Sequence, residues 1–282
     1  GEDFRSNYLT GVDSRANTAD DVEILQAYVE ADKLFGQPLK LRVGRQVIQF
    51  GKDLGSFLLA GKTTPTQRFA YDAIRATYKP MEDLTVDAWW AKLAEMGTAE
   101  EDGDADFYGV YATYSGLEWL SISPFWLYIR DARKVNDTNG TYFQEWVEDL
   151  FDLDDYDHQA FHTVGVSAPG KAGGFDYALN LAYQWGDAAR MGQTFRMPVT
   201  FWNQVYGDDG AEYDGLWGGD VTVGYTFEAK WNIRPYLQGV YYDGEDNRDV
   251  NFWEWLNPWR KPKASISFNR LFSDINYCPV IN

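Results

Sequence analysis

The sequence predicts an all-β fold, an antiparallel transmembrane β-barrel, and three observations carry that prediction. The first is strict alternation: Phe175, Tyr177, Leu179, Leu181, Tyr183 and Trp185 are large and apolar, while Asp176, Ala178, Asn180, Ala182 and Gln184 between them are small or polar. Residues 221–227 repeat the pattern. Successive side chains of a strand point to opposite faces, so each run presents one greasy face and one hydrophilic face. The second is an aromatic content of 17% with 12 Trp, and with Tyr and Trp placed at run ends, where a bilayer interface would lie. The third is that connections between runs alternate in length. A soluble sandwich strand also alternates, but it averages about five or six residues and gives no reason for such sorting of loops.

Period-two runs bounded by Gly, Pro, Asp and Asn are expected as strands at 22–34, 39–50, 71–79, 84–93, 107–115, 119–130, 161–168, 175–185, 220–228, 231–242 and 264–268. Most reach the roughly 9–11 residues that a tilted spanning strand needs. The connections 36–38, 79–83, 116–118, 169–174 and 229–230 are short. Those at 51–70, 94–106, 131–160, 186–219 and 243–263 are long and acidic. Short periplasmic turns and long extracellular loops describe an outer-membrane barrel. Within the third long loop, residues 142–151 are expected to form a short helix over or in the mouth, with Trp146 and Leu150 on one side. No composition shift divides the chain, so residues 1–282 are expected to form a single barrel domain. Eleven runs is an odd number, whereas single-chain bacterial barrels have even ones, and the chain ends Tyr277-Cys278-Pro279-Val280-Ile281-Asn282 rather than on an aromatic residue. Either C-terminal closing strands are missing from this sequence, or it contains strands that do not show as period-two runs.

A mean hydropathy of −0.46 and the lack of any stretch near the roughly 18 consecutive apolar residues of a spanning helix exclude a helical membrane protein. The start shows no basic segment followed by an apolar one, as expected of a processed or a cytosolic chain. A lone Cys278 rules out an internal disulfide framework. The net charge of −18 argues against nucleic acid as a partner. The acids cluster at 100–106, 148–157, 208–214 and 243–249, between strand runs, so net charge says little about the lumen.

The segment from Leu39 to Gly51 (LKLRVGRQVIQFG), followed by Arg68-Phe69-Ala70-Tyr71-Asp72-Ala73-Ile74-Arg75, resembles the alginate-export type of outer-membrane porin, whose members carry an LRxGRQ strand and then an RxFDxR strand. Gly173-Gly174-Phe175-Asp176-Tyr177, Tyr183-Gln184-Trp185-Gly186, Gly224-Tyr225-Thr226-Phe227 and Phe268-Asn269-Arg270-Leu271-Phe272 are similar to the family's later strand ends, in the same order. Ala70 and Tyr71 separate Phe69 from Asp72, a departure from the usual contiguous pair. The resemblance implies a Gram-negative outer-membrane channel, not an enzyme, for passive diffusion or export of an anionic or carbohydrate-like solute past an arginine-rich constriction.

Strand phase supplies an independent reading of the lumen. With Leu39, Leu41 and Val43 towards lipid, Lys40 and Arg42 face inward; Arg75 does so opposite Ile74, and Arg234 opposite Trp231, Ile233 and Leu237. A cation on the lipid face costs about 2–4 kcal/mol at the midplane, and rings of Arg and Lys favour anions. Arg45 shares the parity of Val43 and is expected in the lumen only through a bulge at Gly44, otherwise at the interface. Asp87, Asp176 and Asp220 share the lumen phase. These charges either steer a solute or pair across strands and keep a polar wall rigid.

His158 and His162 would lie about 13 Å apart on a strand, which disfavours a shared metal. Asp243, Glu245, Asp246 and Asp249 surround Gly244 as calcium ligands do, without full EF-hand spacing; a solvated acidic loop is the other reading. No cofactor is otherwise expected. No G-x-S-x-G, P-loop or CxxC motif is present. The rival readings are a surface scaffold or adhesion barrel with a plugged lumen and partner- or calcium-binding loops, and a barrel hydrolase.

Overall fold

The computed structural model describes residues 26–50, 58, 70–94, 104–132, 159–188, 212–228, 231–244 and 267–272. These residues form ten strands: β1 (Ala27–Ala31), β2 (Leu39–Gln46), β3 (Tyr71–Met81), β4 (Leu84–Ala94), β5 (Ala105–Leu117), β6 (Leu120–Asp131), β7 (Gln159–Ala172), β8 (Phe175–Asp187), β9 (Glu212–Tyr225) and β10 (Tyr236–Tyr242). Each pairs antiparallel with the next, so their order in space is their order in sequence. Strands β3 to β9 run 11 to 14 residues, long enough to cross a bilayer at a tilt. Among the described residues the sheet stays open between β1 and β10.

The outward face is built in rows. Val43, Ile74, Trp90, Tyr108, Tyr128, His162 and Trp185 are cross-strand neighbours in register. His162 stacks between Tyr128 and Trp185, with ring centroids 4.5 and 5.2 Å away, and its Nδ1 accepts a bond from Trp126 Nε1–H at 3.2 Å. A second aromatic set, Tyr114, Phe175, Tyr225 and Phe227, lies towards the short turns. Along β8 the two sets, at Trp185 and Phe175, stand about 25 Å apart for a strand tilted by about 40°. Between them Val110, Leu181, Val221 and Val223 remain exposed. A continuous exposed apolar band of that height is a lipid-facing surface, since water penalises it and hydrocarbon does not. One row beyond the upper aromatics the register sets Arg45, Asp72, Lys92, Asp106 and Arg130 side by side.

The inward face divides into two halves. Towards the long loops it is apolar: Tyr71, Trp89, Phe107, Leu127, Ile129 and Phe161 are buried there. Ile48, Phe50, Leu58, Phe268, Leu271 and Phe272, none of them in a strand, complete that cluster. Towards the short turns it is polar, with Asp87, Ser123, Ser167, Asn180 and Asp220 buried.

Several expected boundaries move. The strand expected at 39–50 ends at Gln46, because burial of Ile48 and Phe50 turns the following segment inward. Strand β9 begins at Glu212 rather than near 220, since Gly215, Gly218 and Gly219 blank the alternation there. Residues 231–235, expected in a strand, form a turn closed by Phe227 N–H to Ile233 O at 3.0 Å and Tyr225 N–H to Pro235 O at 3.1 Å. Of the strand expected at 264–268, the described residues Ser267 and Phe268 lie outside any strand, and Phe268 packs in the interior instead. The expected helix at 142–151 and the start of the first run at 22–25 lie outside the described residues.

Candidate functional site

The polar half of the interior contains two charged groups on separate arcs of the wall. The first spans β1 to β4. Glu30 on β1 accepts from Lys40 Nζ at 3.0 Å and from Arg42 Nε at 2.8 Å, and Lys40 also reaches Asp32 at 3.3 Å. Arg42 lies over the Tyr28 ring, 4.2 Å from its centroid. Arg42 and Arg75 are direct cross-strand partners, an unfavourable juxtaposition unless each has its own counter-ion. Each does: Glu30 serves Arg42, and Asp87 accepts from Arg75 Nε at 3.0 Å and from the Thr77 hydroxyl on the same oxygen. Arg75 and Asp87 are the more enclosed pair, with side-chain exposures of 18% and 7%.

The second group belongs to β8, β9 and the turn before β10. Arg234 donates to both oxygens of Asp176, from Nε at 2.9 Å and from Nη2. The guanidinium gets there by crossing Gly224, the register neighbour of Asp176; a Cβ at Gly224 would lie 2.7 Å from Arg234 Nη2. That bond holds the Arg234 guanidinium above its ordinary pKa. The pair sits in a cavity of about 580 Å³ at the short-turn end, lined also by Trp119, Lys171, Asn180, Tyr236 and Gln238. Gln238 Nε2 donates to Asp220 Oδ2 at 2.8 Å. Asn180 Oδ1 is buried with no hydrogen-bond partner among the described residues.

The residues read from the sequence therefore separate. Lys40, Arg42, Arg75 and Asp87 come together; Asp176 and Arg234 form the second group, Arg234 from a turn rather than from strand phase. Arg45 departs from the pore-lining expectation. The β2–β3 ladder continues in register through Gly44, so Arg45 stays on the outward face with Asp72, Nε to Oδ1 at 3.1 Å and Nη2 to Oδ2 at 3.1 Å. Of the calcium candidates, Asp243 is engaged by the Trp217 N–H and the Tyr241 hydroxyl, while Glu245, Asp246 and Asp249 lie outside the described residues, as does His158. Glu30, Asn180 and Gln238 were not singled out from sequence; their lumen parity, shared with Arg42, Asp176 and Asp220, is the signal that could have found them.

An antiparallel wall with an apolar exterior of bilayer height and an ion-paired interior defines a membrane-spanning β-barrel protein. The chain belongs to the alginate export family, whose model matches residues 2–277. That membership places it in the bacterial outer membrane and in a family of transport rather than enzymatic proteins. No curated protein and no solved structure shows significant similarity to the chain.

Proposed function

We propose that the chain conducts an anionic or carbohydrate-like solute across the outer membrane, receiving it at the short-turn mouth. The observation that carries this reading is the cavity there, where Arg234, Gln238 and the Asn180 carbonyl, unpartnered among the described residues, offer donors and an acceptor beside Trp119 and Tyr236. Polar planar groups next to aromatic faces suit a hydroxylated ring, whose edges hydrogen-bond while its C–H face stacks. On the other arc of the same half, Lys40, Arg42 and Arg75 supply positive charge that Glu30 and Asp87 hold in place. Planar-bilayer recordings test this: the wild-type chain gives discrete openings, and Arg42→Gln with Arg75→Gln lowers anion over cation permeability. Unchanged reversal potentials would remove the steering role.

One observation favours a second reading, the plugged scaffold barrel. Ile48, Phe50, Leu58, Phe268 and Phe272 fill the long-loop half of the interior. A conduit must displace them, whereas a scaffold keeps them. Conductance indistinguishable from bare lipid would select the scaffold.

A further inference from the structure

We propose that the inner wall at Trp89 and Tyr111 is a seat for the flat ring of an aromatic carboxylate, and that Phe50 occupies this seat in the closed chain. The inference rests on the interior being a solute path, and its binding test stands apart from conduction.

The seat follows from side-chain size along two inward rows. Trp89 has Gly109 as its register neighbour, and a Cβ at Gly109 would lie 2.0 Å from Trp89 Cζ2. The missing side chain lets the indole lie flat along the wall. In the next row Phe125 does the same over Gly165, where a Cβ would meet Phe125 Cζ at 2.3 Å. Tyr111, beside Phe125 in register, lies nearly parallel to it at 9°. The wall of β4 to β6 thus offers ring faces, not edges, to the interior.

Phe50 comes from the segment after β2, outside the sheet, and lies on these rings. Its centroid is 4.2 Å from that of Tyr111 at 17° and 5.1 Å from that of Trp89 at 29°. Arg75 Cζ stands 5.0 Å from the Phe50 centroid, held by Asp87. A phenyl ring stacked on two aromatic residues, with a guanidinium over its face, is an arrangement an arene ligand could share, the guanidinium countering an anionic group that the arene carries. The polar atom beside Arg75 has no use for Phe50 itself. Trp89, the register neighbour of Arg75, has its Nε1 buried without an acceptor among the described residues. A carboxylate could take the indole N–H and a guanidinium N–H, bonds that a phenyl ring cannot make. Stacking on two ring faces at once favours a planar ring over a puckered one.

The test is titration of sodium benzoate into the purified chain in detergent micelles by calorimetry, with cyclohexanecarboxylate as the non-planar comparison. Phe50→Ala empties the seat and is expected to bind benzoate about tenfold tighter than wild type; Phe50→Ala with Trp89→Ala loses that gain. Phe50→Leu keeps apolar volume without a ring and replaces the alanine variant if the latter does not fold. Equal affinity of the Phe50 variant and wild type, or equal affinity for benzoate and cyclohexanecarboxylate, overturns the proposal. Benzoate binding by a barrel that conducts nothing would sink the channel reading alone, and conduction without binding would sink the seat alone.

Discussion

Ala178 and Leu179 are adjacent on β8, at one depth and on opposite faces, so a single charge placed at each in turn measures what each face touches. Leu179 shares its outward row with Ala168 and Val221. It stands about 10 Å from the Phe175 end of the apolar band and about 15 Å from the Trp185 end, measured along the membrane normal. Ala178 lines the polar cavity. Near the midplane of a hydrocarbon layer, Leu179→Arg should destabilise the folded chain by about 2–4 kcal/mol. Ala178→Arg adds a cation to a wet, acid-rich vestibule and should cost less than about 1 kcal/mol. In reversible urea unfolding from lipid vesicles, with a slope of about 2 kcal/mol per M, the first variant loses on the order of 1–2 M in midpoint and the second less than about 0.5 M. Tryptophan emission and heat-modifiable gel migration read the transition. Equal losses for the two variants, or a larger loss for Ala178→Arg, would refute the assignment of β8's outer face to lipid.

Two further outcomes follow from packing and register. Phe107 is fully buried and touches Tyr71, Trp89 and Phe272 through its ring, so Phe107→Ala should cost about 3–5 kcal/mol in the same assay, and a loss under about 1 kcal/mol would show that the interior cluster is loosely held. Gly224→Ala puts a methyl group where the Arg234 guanidinium crosses to Asp176, and should shift reversal potential in the same direction and by a similar amount as Arg234→Gln while leaving the urea midpoint within about 0.5 M of wild type; a selective effect of only one of the two substitutions would disconnect Gly224 from Arg234.

Much of the wall was legible in the sequence because its alternation is uninterrupted. Residues 175–185 alternate without a break, and β8 is Phe175–Asp187. Alternation fails where a residue's job is to leave room. Gly218 carries no side chain to mark its face, and it is there that Phe268 lies, 2.6 Å from where a Cβ would stand. Alternation also misleads where it continues past the end of pairing: Gln46, Ile48 and Phe50 keep the buried parity of β2, but only Gln46 is in the ladder. The site was half legible for the same reason. Parity gave Lys40, Arg42 and Arg75 their common face and set Arg45 with Val43 on the other; it could not show that Arg234 arrives from a turn, nor that Asp72 is the partner Arg45 finds. Which loop segments fold back into the interior is a long-range choice, set by which of them offers rings to Trp89 and Phe107, and no local pattern encodes it.

The charged row above the upper aromatics bears on how such a wall gets into a membrane. Arg45 and Asp72 belong to the two strands of one hairpin, and Lys92 meets Asp104 and Asp106 across the next long-loop hairpin. These hairpin tips must be carried through the oily layer to reach the far side, where a lone ion would face a steep barrier. Partners that travel on the same hairpin can cross already neutralised, and in the finished wall they remain paired. Pairing within each hairpin thus lowers the cost of carrying its charges through the layer.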